Sequence, residues 1–482
     1  MSIYRSTDPT TWDDVDGIII NESAPAPNVA GVAANIGILV GQSERGLDVL
    51  TEIGSIGQFF ELFGKNDAFG INKSLKNKKF GRLRVIRVVA SGAVQAKEEF
   101  ASSATDRIRF KAKQGKGAFG NAIQVKIEAG SSSGKKYTIK DTTPGSVMSQ
   151  EVYDNVAIAS LAANNVFASS LLIEAEVLSS AAEPDNAAFT ALAGGSDGTV
   201  ADSDYEAAIA KAGVEGAGNF LFLDEYNATR NGYLELHAAD TQDKMVILCG
   251  IENDSVSTAI ADVANYRDVD GRIIYAYPYI QTSINGSLVY QNPASWLASI
   301  LTQTAPQIDP AFTRNAQFLV GITGLKQVLT RAQYINLKDA GICAFEYDQE
   351  IGFKVKSGIV TQIADSSKVT ILRRRMADYL TNSVGKFLKN YQNAVNSKDN
   401  RSLVKGAIIG FVTSLQNDGI LPKDSEVKSG KATLVDTESA NTDASIAAGF
   451  FKIIWKQRIY SSMRYIVLSA EIGESVVVTE QA

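Results

Sequence analysis

DYEAAIAKAGV (204–214), NFLFL (219–223), KMVILCG (244–250), STAIADVANYR (257–267) and RIIYAY (272–277) follow one another in one stretch of the chain. The first and fourth carry apolar residues at helical spacing, and the other three are apolar runs of strand length. Helix and strand in turn predict an α/β layer. The layer is expected to occupy 199–365. Toward the N-terminus, NIGILVG (35–41) reads as another buried strand, SIGQFFELFG (55–64) as a short amphipathic helix closed by Gly64, and RLRVIRVVA (82–90) as a strand. Between these α/β stretches the period changes. RIRFKAK (107–113), AIQVKIEA (122–129), KYTIK (136–140) and LLIEAEVL (171–178) are separated by Gly and Ser clusters, so 101–193 is expected to be an inserted, mostly β module. It ends in AGGSDG (193–198), which reads as a linker.

Toward the C-terminus, ILRRRMADYLTNSVGKFLKNYQN (371–393) and NRSLVKGAIIGFVTSLQNDG (400–419) read as helices, the second with Asn400 as N-cap and Gly419 just past its end. FFKIIWKQRIY (450–460) and MRYIVLSAEI (463–472) read as strands. Two further β-branched runs stand apart. Gly17, Ile18, Ile19, Ile20, Asn21 and Glu22 precede SAPAPN (23–28), whose Pro25 and Pro27 favour extended backbone. Ser475, Val476, Val477, Val478, Thr479 and Glu480 follow Gly473. With no turn signal and no adjacent partner, both are expected to be lone strands on loose tethers.

At 482 residues the chain is long enough for roughly three domains of about 150 residues each. Its 45% hydrophobic and 21% charged residues are those of an ordinary globular protein. It contains no apolar run of about 18 residues, and the opening MSIYRSTDPTTWDDVDG is polar and acidic, so neither membrane insertion nor a secretory leader is expected and the chain should stay in the cytosol. A net charge of −6 argues against general nucleic-acid binding. The charge is uneven, however. In residues 1–22, five acids face Arg5 alone, whereas between Lys65 and Arg87 eight bases meet only Asp67, a pattern suited to docking one copy on another. Cys249 and Cys343 sit in apolar runs and are expected to be buried free thiols.

Signs of chemistry are thin. Gly115, Gly117 and Gly120 satisfy GxGxxG, but a strand follows where a dinucleotide site needs a helix, so the segment reads as a glycine-rich turn. GSSSGKK (130–136) has too few residues between its glycines for a P-loop. The only histidine, His237, would have to serve any Ser-His-Asp hydrolase, yet no GxSxG occurs, and one histidine excludes multi-histidine metal sites. Tyr275, Tyr277 and Tyr279 would share one side of a continuing strand, as packing or a subunit contact. No cofactor, metal or catalytic residue is expected.

Several short motifs, taken in order, resemble the contractile phage tail sheath protein family. They are the first strand ending in Glu22, Ile38 to Gly46 (ILVGQSERG), Phe59 to Gly64 (FFELFG), Gly120 to Val125 (GNAIQV), and Gly194 to Gly198 (GGSDG). Asp339 to Ile342, Gly358 to Thr361, and Arg374 with Asp378 and Tyr379 continue the series. The stretch after Pro278 departs from the family pattern. The resemblance implies a multidomain α+β chain: an N-terminal arm (1–30), the N-terminal part of a sheath core (31–100), an inserted β domain (101–193), an α/β domain of subtilisin-like shape without a triad (199–365), a C-terminal sheath core (366–472) and a C-terminal arm strand (473–482). It also implies a non-enzymatic subunit of hexameric rings stacked around an inner tail tube, with baseplate and tail terminator proteins as partners. Such a subunit resides in the virion tail, and in host cytoplasm during assembly. Type VI secretion and extracellular injection sheaths are related alternatives. The runs 17–22 and 475–480 would be the strands exchanged between subunits. The basic helix with Arg373, Arg374, Arg375, Lys386 and Lys389 is expected to face an acidic tube or neighbour.

Overall fold

Six strands, most of them buried along their whole length, lie parallel at the centre of an eight-stranded sheet. The computed structural model describes residues 29–143, 150–161, 163–214, 216–427 and 430–464, and the backbone of 3–5 and 18–20. Described in order across the sheet, the strands are Gly352–Val355, Ile342–Asp348, Ile273–Tyr277, Met245–Cys249, Phe220–Leu223, Ile36–Gly41, Arg82–Arg87 and Thr51–Ile53. Only the two outermost run antiparallel. The first strand in sequence sits in the interior: the chain builds outward to Arg82–Arg87, then returns to build from Phe220–Leu223 in the other direction.

Successive side chains of a strand point to opposite faces. Leu39 accordingly joins a core with Phe59, Phe63, Trp296 and Leu301, whereas Ile38 and Val40 join another with Tyr205, Leu234, Ala259 and Leu337. Helices Ile56–Phe63 and Pro293–Gln303 cover the first face, and Asp202–Lys211, Ala228–Thr241, Val256–Val263 and Arg331–Asp339 cover the second. Residues 31–100, expected to belong with the C-terminal core, instead give this sheet three of its strands. The reason is that a central parallel strand has two faces to bury, and only the α/β layer has helices on both sides.

The β module starts at Lys97, with the strand Lys97–Ser102. Three strands, Ile173–Val177, Thr105–Ala112 and Lys97–Ser102, form one sheet, and Gln150–Val156, Lys135–Asp141, Ile123–Ala129 and Ala187–Ala191 form another. A shared core of Phe110, Tyr137, Phe167 and aliphatic neighbours lies among them. The module is not loosely tethered. Val94 and Lys97 bridge Ser196 and Ala193 in the expected linker, and the Asn121 amide pairs with Gly195 on both its N–H and C=O. Arg45, in the turn after Ile36–Gly41, donates to Asp141 at 2.8 Å, with both side chains buried.

The chain divides into two compact units, Ala33–Arg375 and a second comprising Met1–Val32 with Met376–Ala482; the division falls within the helix Ile371–Leu388. In the second unit this helix supplies Met376, Leu380, Val384 and Phe387 to the interior, while Lys398–Asn417 supplies Val404, Ile408, Phe411 and Leu415. Tyr379 and Phe411 meet with ring centroids 6.2 Å apart. Tyr379 also passes so close to Gly31 that a Cβ there would lie 2.4 Å from its hydroxyl, so any larger residue would have to push the ring aside. The second helix begins one turn earlier than expected. Ser397, not Asn400, is the N-cap: its hydroxyl accepts from the Asn400 N–H, while the Asn400 amide donates to the Val395 carbonyl. Gly419 closes the helix at φ +69°.

Candidate assembly interface

A sheet with two strands leaves two edges without a strand partner. Thr433–Asp436 and Ile454–Gln457 form such a sheet in the C-terminal part of the second unit, with Val435 opposite Trp455 and Leu434 opposite Lys456. Val435 is buried, whereas Leu434 and Ile454 remain 46% and 36% exposed. The Thr433 hydroxyl donates to Gln457 at 2.7 Å and Arg458 N–H to Ala432 C=O at 2.9 Å, fixing the register. Among the described residues no third strand pairs with either edge. The strand expected over 450–460 is thus shorter, ending in a segment whose Tyr460 hydroxyl donates to Glu426 at 2.5 Å. Thr433–Asp436 was not anticipated, although TLV bounded by Gly430 and the turn-forming DTES (436–439) carries a weak strand signal.

Ile18, Ile19 and Ile20 do form a strand, but not a lone one: Ile18–Ile20 pairs in parallel with Ile3–Arg5, Ile3 opposite Ile18 and Arg5 opposite Ile20. The expectation considered only partners that follow in sequence, and a parallel partner can precede at any distance. One edge of Ile18–Ile20 stays unpaired among the described residues. Gly17, Asn21, Glu22 and the whole run Ser475, Val476, Val477, Val478, Thr479 and Glu480 lie outside the described residues, as do 465–472 of the last expected strand.

The basic helix does not present a uniform face. Arg375 is 3% exposed and cannot touch a tube or a neighbour. Its guanidinium donates to the carbonyls of Leu301 (3.0 Å), Thr304 (2.6 Å) and Ile308 (3.3 Å) and to the Thr304 hydroxyl (3.1 Å). These acceptors lie at and beyond the end of the helix Pro293–Gln303, where the last carbonyls lack helical partners. Burial pulls the Arg375 pKa down to about 9, partly offset by Asp309. Arg373 and Arg374 are half-buried, and Lys386 and Lys389 are exposed.

The basic run from Lys65 to Arg87 is also largely consumed inside the fold. Arg82 and Arg84 share Glu52, Lys76 pairs with Asp67, and Lys78 donates to the Ser74 carbonyl and Gln291 while lying over the Trp296 ring. Arg87 is buried, donating to the carbonyls of Ser43, Glu44, Gly46 and Lys116; burial lowers its pKa to about 10. Much of a charge excess that reads as a docking patch therefore supports loops instead.

Nor do the chemical motifs assemble into a site. Gly115 (φ +92°) and Gly117 (φ +144°) shape a turn, followed by the short 3₁₀ segment Ala118–Ala122 and a strand. A Cβ on Gly115 would lie 2.7 Å from the Gly46 carbonyl oxygen, so close backbone packing explains that glycine. His237 lies on the helix Ala228–Thr241, 8% exposed, with Nε2 unpartnered; burial lowers its pKa below the usual imidazole value. Cys249 and Cys343 are buried free thiols, pushed upward in pKa by burial. Among the described residues no cluster of His, Cys, Asp or Glu is placed to hold a metal. The strand bearing Tyr275 and Tyr277 stops at Tyr277, so Tyr279 does not extend their row; the Tyr275 hydroxyl instead donates to Asp262 at 2.7 Å.

No family model and no curated protein matches this chain. Solved structures do. A sheath tail protein from Listeria innocua aligns over 86% of this chain and 90% of its own length, with 15% identity and a TM-score of 0.63. Another sheath tail protein, from Desulfitobacterium hafniense, aligns over 88% of this chain and 94% of its own at 18% identity and a TM-score of 0.59. The helical sheath of the anti-feeding prophage in its contracted state aligns over 95% and 99%, with 14% identity and a TM-score of 0.58. Across nearly its whole length, this chain has the fold of contractile tail sheath proteins.

Proposed function

We propose that the protein is a structural subunit of a contractile sheath, polymerising around an inner tube and shortening to drive that tube forward, with no catalytic step. The observation that carries this reading is the shared fold along almost the entire chain, including the unit with the open two-stranded sheet. Two open edges are suited to accepting two strands, and the chain has two β-branched terminal runs, 17–22 and 475–480. Each cross-strand pair contributes only about 0.2–1 kcal/mol. Repeated in every copy, such links form a mesh that stays joined while subunits change their packing. For the N-terminal run, the edge of Ile18–Ile20 left open by Ile3–Arg5 is the one that would join a neighbour, so the existing three-residue pairing need not be given up.

In this reading the subunits stack as hexameric rings and meet baseplate and tail terminator proteins at the ends. Lys386 and Lys389 are the exposed members of the basic set and would be the ones to face an acidic tube or neighbour. The likeness includes sheaths of an anti-feeding prophage and of an extracellular contractile injection system, so the same physics serves a phage tail or a phage-derived injection machine. Negative-stain microscopy of the purified full chain tests the proposal: hollow cylinders are expected, and small uniform particles at every salt and concentration would refute it. Reversing the charge of Lys386 and Lys389 should weaken assembly most at low salt; unchanged assembly would remove them from the interface.

A further inference from the structure

The helix Lys398–Asn417 has two uncharged faces but only one interior to bury them in. Val404, Ile408, Phe411, Val412 and Leu415 form the face turned inward. On the other side, Leu403 is 40% and Ile409 43% exposed, and Gly406 and Gly410 have nothing within 4 Å of where a Cβ would stand. At about 100° per residue, Leu403 and Ile409 lie about 120° apart around the axis, with Gly406, Gly410 and Thr413 between them. The result is a shallow channel with aliphatic walls and a glycine floor. Lys405 does not interrupt it, because at about 100° per residue it lies about 40° beyond Ile409, outside the arc that holds the glycines. Two glycines inside a helix weaken it, and among the described residues no neighbour accounts for them.

We propose that this channel is the seat of the chain's own segment 465–472, which packs along it and roots the C-terminal arm. The described residues end at Arg464, in the same unit as the channel, and the segment follows directly. Its sequence, YIVLSAEI, places Ile466, Leu468, Ala470 and Ile472 on one side at strand period, an apolar edge that needs cover. Seven residues from 466 to 472 span roughly 20 Å in extended form, and the helix from Leu403 to Thr413 roughly 15 Å, so the lengths match. Glycine on the floor admits backbone at a distance that any side chain would prevent.

Hydrogen–deuterium exchange on the full chain, at two concentrations a hundredfold apart, tests this. Amides of 466–472 are expected to exchange at least about tenfold more slowly than an unstructured strand, equally at both concentrations. Gly406→Arg with Gly410→Arg should abolish that protection while leaving the amides of Ile371–Leu388 as they were, since Arg is the stronger helix former. Should that variant unfold the unit, Leu403→Ser with Ile409→Ser removes the walls instead and must give the same loss. Unprotected amides in the native chain, protection that survives both variants, or protection seen only at the higher concentration would each overturn the proposal; the last would assign the channel to a second copy.

Discussion

Arg375 and Asp224 show how far a residue's sequence context can differ from its physical one. Arg375 stands in a run of three arginines, yet it acts as an internal cap for carbonyls at the end of another helix. Arg375→Met keeps the stem and removes every donor, and should cost about 3 kcal/mol in denaturant unfolding, whereas reversal of exposed Lys386 should cost under about 0.5 kcal/mol. Asp224 follows the strand Phe220–Leu223, fully enclosed, and accepts from Gln42 N–H at 2.9 Å and from the Tyr205 hydroxyl at 3.1 Å. Burial, reinforced by Glu225, raises its pKa to about 7 despite those two donors. The folded state thus holds this proton more tightly than the unfolded chain, and the stability it lends is present below about pH 4 and lost as pH rises toward 7. Asp224→Asn should remove that slope: the difference in unfolding free energy between native and variant proteins should shift by a few kcal/mol, about 2–4, between pH 4 and pH 7.5.

At the scale of elements, what joins the β module to the α/β layer is a buried ion pair together with backbone pairing across the glycine-rich segment. Removing one partner of such a pair strands the other charge, so Asp141→Ala should destabilise by about 3–5 kcal/mol. Arg45→Met with Asp141→Leu should recover most of that loss, because the desolvation cost disappears along with the attraction; thermal or denaturant unfolding of the three variants measures both. Ser397→Ala should cost about 1 kcal/mol through the lost N-cap. The helices and buried strands of the layer were legible in the sequence, because long apolar periodicity leaves few alternatives. The linker was misread, since AGGSDG carries the same composition whether it dangles or lies paired, and the cap was misplaced because Asn400 and Ser397 are equally good capping residues three positions apart.

At the scale of the whole molecule, the proposed strand exchange predicts that the two terminal runs serve assembly more than folding. Deleting 1–22, or 473–482, should leave the melting temperature within about 2 °C of the full chain while abolishing cylinders in negative stain. Normal polymers from either deletion would defeat strand exchange. The two deletions mixed together should not restore cylinders, since each copy would still lack one of its two links.

The sequence by itself determined the α/β layer, the inserted β module, the two C-terminal helices and the burial of both thiols. These follow from periodicity and residue type, which act over a few turns or strands. Tertiary structure alone decided that residues 36–41 and 82–87 complete the α/β sheet, that the glycine-rich segment is pinned, that Ile18–Ile20 has a partner upstream, and that Arg375 is internal. In each case the deciding contact joins residues distant in sequence, or a charge whose partner is a backbone carbonyl, and neither leaves a mark on local pattern.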